Sequence, residues 1–229
     1  MPRFDLVAFD ADDTLWHNET LFHGTQQRFR ALLADYHPPE WIDARLDATE
    51  RRNLTHFGYG VKGFVLSMIE TAVELTEGRV AAAQVQQIID WGREMLSTPV
   101  ELLPGVREAV AKVAESHRIA VVTKGDLLDQ EAKLARSGLG DLFAAFEVVS
   151  EKDAKTYAGV MRRLGVEPGR FVMVGNSVKS DVLPVLEVGG AAVHIPYELT
   201  WAHEVVPDAG TGFATLDSIR ELPAWLEIG

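Results

Sequence analysis

Leu6-Val7-Ala8-Phe9 is apolar at every position, and short, largely apolar runs recur at 119–123, 146–149 (around Glu147), 171–174 and 191–195. Several of these runs lack any alternation of polar and apolar residues. That is the pattern of strands covered on both faces, not of a half-solvated hairpin. Between the later runs, residues 106–116, 127–137, 154–164 and 181–188 have apolar residues at helical spacing. Pro104-Gly105, Gly138, Gly165 and Gly189-Gly190 punctuate them. Strand and helix in alternation predict an α/β fold built on a doubly wound parallel sheet.

The interval 20–100 breaks the rhythm. It has no convincing strand, but helical stretches lie near 25–36, 41–52, 62–76 and 81–96, with Pro38-Pro39 and Gly58-Tyr59-Gly60 between some of them. An inserted, mostly helical domain is the expected meaning; the alternative is extra helices packed on a single α/β layer. The expected organisation is an α/β core over 1–15 and 99–229 with a helical domain over 16–98. A chain of 229 residues fits a core and an insert. At that length folding buries roughly 70% of the unfolded surface, so neither a disulfide nor a structural metal is needed.

Composition narrows the chemistry. The absence of cysteine excludes disulfides, thiolate metal sites and a cysteine nucleophile. The formal net charge of −12 opposes nucleic acid and anionic membranes, and no Lys/Arg stripe offsets it. An anionic substrate would therefore have to be held by local cations. Met1-Pro2-Arg3-Phe4-Asp5 runs straight into a core strand without leader-like features, and no apolar run approaches a membrane span. A soluble cytoplasmic protein is expected, with neither nucleic acid nor membrane as partner and a homo-oligomer left open.

Ligands of open parallel sheets gather at the carboxyl ends of the strands. Past the first run stand Asp10 and Asp12; past the second, Thr123, Lys124 and Asp126. Past the third stand Glu151, Lys152 and, one turn on, Lys155; past the fourth, Asn176, Ser177 and Asp181. Two carboxylates two residues apart at the tip of a buried strand face the same side and repel. Such a pair makes sense where a divalent cation screens it and one acid serves as a nucleophile.

In this order the four positions resemble the haloacid dehalogenase (HAD) superfamily, in its Asp-x-Asp phosphatase branch. Asp10-Ala11-Asp12-Asp13-Thr14 matches the first motif, Thr123 the second and Lys152 or Lys155 the third. Gly175-Asn176 with Asp181 matches the fourth, except that Asn176 replaces a carboxylate. Lys152 is preferred because it lies nearest the strand end and precedes Tyr157 at nearly the family's usual spacing. The resemblance implies a Rossmann-like core and a helical first-type cap between the first and second motifs.

It further implies a phosphatase acting on a small phosphorylated metabolite. Asp10 would be the nucleophile, Asp12 the general acid and base, and Thr123, Lys124 and Lys152 the groups that hold phosphate. Mg2+ would lie among Asp10, the Asp12 main-chain carbonyl, Asp181 and Asn176. An acid at Asp12 favours C–O–P hydrolysis over dehalogenation or phosphonate cleavage, in whose branches the position is not Asp. A phosphomutase using the same acids, or a catalytically weak metabolite-binding protein, remains an alternative; Asn176 keeps the latter open. Cap and loop residues Trp16, Asn18, Tyr59 and Lys62 are candidates for substrate contact, Tyr59 foremost because flanking glycines permit close approach. His56, His194 and His203 carry no metal-site spacing. A signalling receiver module also clusters acids, Thr/Ser and Lys at strand ends, but its phosphorylated Asp follows a later strand and it has no place for the insert.

Overall fold

The computed structural model describes residues 3–199, 201, 204 and 210–228; His203 lies outside them. Strands β1 (Leu6–Phe9), β2 (Arg118–Lys124), β3 (Ala145–Val149), β4 (Phe171–Gly175), β5 (Ala191–His194) and β6 (Ala214–Thr215) form one sheet among the described residues. Their order is β3-β2-β1-β4-β5-β6, and every pairing is parallel. β1 is central, with Phe9 beside Val121 on one neighbour and Val174 on the other. The alternate residues of these strands feed two cores. Val7, Phe9, Ile119, Val121, Val172 and Val174 share one cluster with Val106, Ala109, Val110 and Val113 of α5 (Val106–Ala114). Leu6, Ala8, Ala120, Val122, Phe171 and Met173 face Tyr157, Val160 and Met161 of α7 (Ala154–Leu164) and Val185 of α8 (Leu183–Glu187). Helices on both faces account for runs without alternation, since a polar residue on either side would be stranded in apolar packing.

The described residues divide into two compact units. The first, the core unit, holds Met1–Glu19, Val100–Lys124 and Gln130–Gly229; the second, the helical unit, holds Thr20–Pro99 and Gly125–Asp129. Helices α1 (Glu19–Leu32), α2 (Pro39–Phe57), α3 (Val61–Leu75) and α4 (Ala82–Ser97) build the helical unit. Phe29, Leu33, Ile42, Leu46, Met68 and Ile88 are its largest fully buried side chains. Each contributes roughly 1.5–3 kcal/mol by leaving water. Gly92 lets α4 approach α3, because a Cβ there would overlap the β-branched Val65.

Two elements differ from their expected form. The helix expected at 181–188 starts instead as a π-helical turn, Val178–Val182, running into α8 with Pro184 in its first turn. Ser177 caps this turn by accepting from the Ser180 N–H, so the helical run begins at the motif and not after it. β6 is two residues long and gives no apolar run to read. Two further α-helices among the described residues are α6 (Leu127–Ser137) and α9 (Leu222–Trp225), and Trp225 stacks on Phe4.

Candidate functional site

Asp10 lies one residue beyond β1, its N–H bonded to the Val174 carbonyl at 2.8 Å. Parallel pairing therefore brings Asp10, Thr123 and Gly175 to one edge of three adjacent strands. Lys152, just past β3, donates to Asp10 Oδ1 at 2.5 Å and to Asp181 Oδ1 at 2.6 Å. Lys155, by contrast, is exposed on α7. Asp181 Oδ2 accepts from the Ser177 N–H at 3.0 Å. Gly175 is required here: a Cβ built on it would overlap the Asp181 carboxyl. Thr14 Oγ1 lies 3.2 Å from Asp10 Oδ2 and 3.3 Å from Asn176 Oδ1, tying the first motif to the fourth. Thr123 is buried, with its hydroxyl 3.2 Å from the Lys124 carbonyl.

One ammonium is thus shared by two buried carboxylates. Burial pushes the Asp10 carboxyl above its ordinary range, against the pull of Lys152 and with the push of Asp181. Burial by itself would lower Lys152, but the charges of Asp10 and Asp181 outweigh it and hold the ammonium well above its usual range. Tyr157, whose hydroxyl donates to the Ser180 carbonyl at 3.0 Å, closes the apolar side of this cluster.

Asp12 turns to different partners. Its Oδ1 accepts from Trp16 Nε1 at 2.7 Å and Lys133 Nζ at 3.0 Å, and its Oδ2 from Gln130 Nε2 at 2.8 Å. Lys133 also donates to Asn18 Oδ1 at 2.7 Å. Trp16 and Asn18, candidates for substrate contact, therefore both belong to the surroundings of Asp12. Gln130 and Lys133 were not singled out from the sequence; their helical spacing looks like that of any amphipathic helix. Asp13, within the first motif, has φ 61°. Its carboxylate accepts from the N–H groups of Asn18 and Glu19, at 2.8 and 3.1 Å, and burial pushes it up to about 7.

Lys124 has its ammonium 2.6 Å from Glu204 Oε1 and 2.9 Å from Ser180 Oγ. Glu204 also accepts from the hydroxyls of Ser177 and Ser180. Burial opposes ionisation of Glu204, but the Lys124 charge and these hydrogen bonds outweigh it and bring the carboxyl down to about 2. A depressed carboxyl stabilises the fold above its unfolded pKa, and that stability is lost as pH falls through the folded value. Glu204→Gln is thus expected to lower stability at pH 7 by about 2–3 kcal/mol, with more than half of the gap gone by roughly pH 3. Denaturant melts of both proteins at the two pH values check this; a gap independent of pH would contradict it.

Tyr59 and Lys62 belong to the helical unit. Tyr59 lies between Gly58 and Gly60, both with positive φ (69° and 105°), in the turn joining α2 to α3. Lys62 is exposed and pairs with Asp126 at 2.9 Å. His194 Nε2 lies 3.0 Å from the Asn176 carbonyl oxygen, holding the fourth motif. Among the described residues no three His, Asp or Glu side chains are gathered to hold a metal. The oxygens near Asp10 are instead a mixed set: the carboxylates of Asp10 and Asp181, joined by Lys152, and the Asn176 amide, joined to Asp10 by Thr14. Such hard, partly neutral donors suit a cation that keeps several of its own waters.

Residues 4–189 match the family described as haloacid dehalogenase-like hydrolase. The chain belongs to this family. A haloacid dehalogenase-like family hydrolase from Xanthomonas campestris is 44% identical in its solved structure, with a TM-score of 0.88 over 99% of this chain and 91% of that one. Pyrimidine 5'-nucleotidase YjjG of Escherichia coli is 24% identical over 96% of both chains. Glyceraldehyde 3-phosphate phosphatase of Methanothermobacter thermautotrophicus is 31% identical over 115 residues, 48% of this chain. The chain spans about half the length of that relative, 51%. The parallel sheet with helices on both faces is thus the α/β core of a haloacid dehalogenase-like hydrolase. Among the described residues no helix is long and apolar enough to cross a membrane.

Proposed function

We propose that this hydrolase is a Mg2+-dependent phosphatase that cleaves a small-molecule phosphate monoester through an aspartyl-phosphate on Asp10. The observation that carries this reading is the buried Asp10 carboxylate at the end of β1, held by Lys152 beside a second buried acid. The related phosphatase and nucleotidase support it by the class of bond their names describe.

In the first half-reaction an Asp10 carboxylate oxygen attacks phosphorus in line, and the bond from phosphorus to the ester oxygen breaks. Asp12 gives its proton to the departing oxygen. In the second, Asp12 takes a proton from water, whose oxygen displaces Asp10 from phosphorus and frees inorganic phosphate. Lys152 offsets charge on Asp10 and the incoming phosphoryl group, and the Thr123 hydroxyl donates to a phosphoryl oxygen. Asp10, the Asp12 main-chain carbonyl and Asp181 would hold Mg2+, with Asn176 beside them. When bound, the ion supplies positive charge to the phosphoryl group. Asn176 leaves one carboxylate fewer around it, which implies a looser hold on the metal. The helical unit serves in this reading as the cap that selects the substrate, with Tyr59 as its first candidate.

Phosphate release from p-nitrophenyl phosphate and from a panel of phosphorylated sugars, acids and nucleotides tests the assignment. Turnover of at least one monoester is expected with Mg2+ present and none with excess EDTA. Failure of every monoester, or turnover indifferent to EDTA, would overturn it.

A further inference from the structure

We propose that Gln130 and Lys133 of α6 are positioning residues that hold the Asp12 carboxylate in one orientation for proton transfer. The inference rests on the function proposed above, in which Asp12 moves the proton. Two residues three apart on a helix share a face, and here that face carries a long amide and a long ammonium to the same carboxylate. Gln130 is 2% exposed and Lys133 8%, so neither lies there as a solvated side chain. Between them they cover both oxygens of Asp12: Gln130 on Oδ2 at 2.8 Å, Lys133 on Oδ1 at 3.0 Å and on Oδ2 at 3.2 Å.

Trp16 alone, donating to Oδ1 at 2.7 Å, would leave the second oxygen without a fixed direction. Lys133 in turn is anchored by Asn18 Oδ1 at 2.7 Å, so the ammonium cannot follow the carboxylate if it turns. The arrangement is poor as a way to stabilise a fold. Gln130 Oε1 is buried with no hydrogen-bond partner among the described residues, and a buried ammonium loses its hydration. An apolar side chain of the same length in place of Gln130 would fill the space without stranding a buried oxygen. What the polar pair achieves is orientation, and orientation is what a proton-transferring group needs. Misplacement by about 1 Å can cost roughly a hundredfold in rate.

The test uses the full chain with Mg2+, comparing wild type, Lys133→Met, Gln130→Met and Asp10→Asn. Nitrophenolate leaves phosphorus without a proton, whereas an alkoxide needs one, and in both cases water must be deprotonated afterwards. With enzyme in excess over p-nitrophenyl phosphate, first-turnover nitrophenolate release by the Met variants should stay within roughly threefold of wild type. Their steady-state kcat on that ester and on an alkyl phosphate should fall about 10- to 100-fold, with KM changed less than about threefold. The thermal midpoint of Gln130→Met should not drop, whereas that of Lys133→Met should, because Asp12 and Asn18 lose their shared cation. A wild-type kcat in both variants overturns the assignment. So does a first turnover that falls as far as the steady state, because a loss common to both steps is structural damage. If Lys133→Met does not fold, Gln130→Met decides by the same criteria. A wild type without phosphatase activity, or an active Asp10→Asn, marks failure of the proposed function itself. An active wild type and an inert Asp10→Asn, with both Met variants at wild-type kcat, mark failure of the positioning role alone.

Discussion

Asp10→Asn is expected to reduce phosphate release by about 10^4-fold or more, because an amide cannot serve as the attacking oxyanion. The fold should survive the change. Asn preserves the shape of Asp and leaves an acceptor for Lys152 Nζ, which would then pair fully with Asp181. Stability without metal should respond with a definite sign. In the wild type Asp10 is raised by burial, so ionising it disfavours the fold, and stability declines as pH rises from the unfolded carboxyl range through the folded value. The Asn variant has no proton to lose at that position and should lack this part of the slope. Paired urea melts at acidic and alkaline pH in EDTA, together with the rate assay, measure both effects. Activity within tenfold of the wild type would place the nucleophile elsewhere.

Lys152→Met carries the largest expected loss of stability. Lys152 is 4% exposed and stands between two buried carboxylates, so its removal leaves Asp10 and Asp181 facing each other with no compensating charge. Breaking a buried pair by deleting one partner costs about 3–5 kcal/mol. Without the ammonium, burial pushes the Asp10 carboxyl up further, and the charge of the facing Asp181 adds its repulsion. The penalty should therefore be greatest at alkaline pH and shrink as pH falls and protonation relieves the repulsion. Added Mg2+ should recover part of the loss by supplying the missing positive charge, while activity stays low because the ammonium no longer meets the phosphoryl group. Melts in EDTA at two pH values, repeated with Mg2+, test each part. A loss below about 1 kcal/mol, or one indifferent to pH, would contradict the account of Lys152 as the shared counter-charge.

Five of the six described strands could be read from local apolar residues: the inner ones because cover on both faces demands apolarity along their length, and β3, at the sheet's edge, from Phe146, Val148 and Val149 around Glu147. β6 could not, being two residues paired at an edge. Asp10 and Lys152 could be named because they closely follow those runs, Thr123 because it ends one, and Asp181 from its spacing after Gly175. The partners that surround them were hidden for a different reason. Gln130 reaches Asp12 across 118 residues of chain, and Glu204 reaches Lys124 across 80. No short-range pattern marks a side chain whose partner is that far away.

The order of apolar runs and turns by itself determined the parallel α/β core and the line of acids, hydroxyl and lysine along its edge. Both follow from local rules: burial on two faces demands continuous apolarity, and parallel strands bring their carboxyl ends together. Only the tertiary structure decided how charge is shared there. It put Lys152 between two acids while Lys155 lies at the surface, and gave Asp12 the amide and ammonium of α6. Short-range electrostatics depends on ångström separations between groups distant in the chain, and those exist only after the sheet has closed its register.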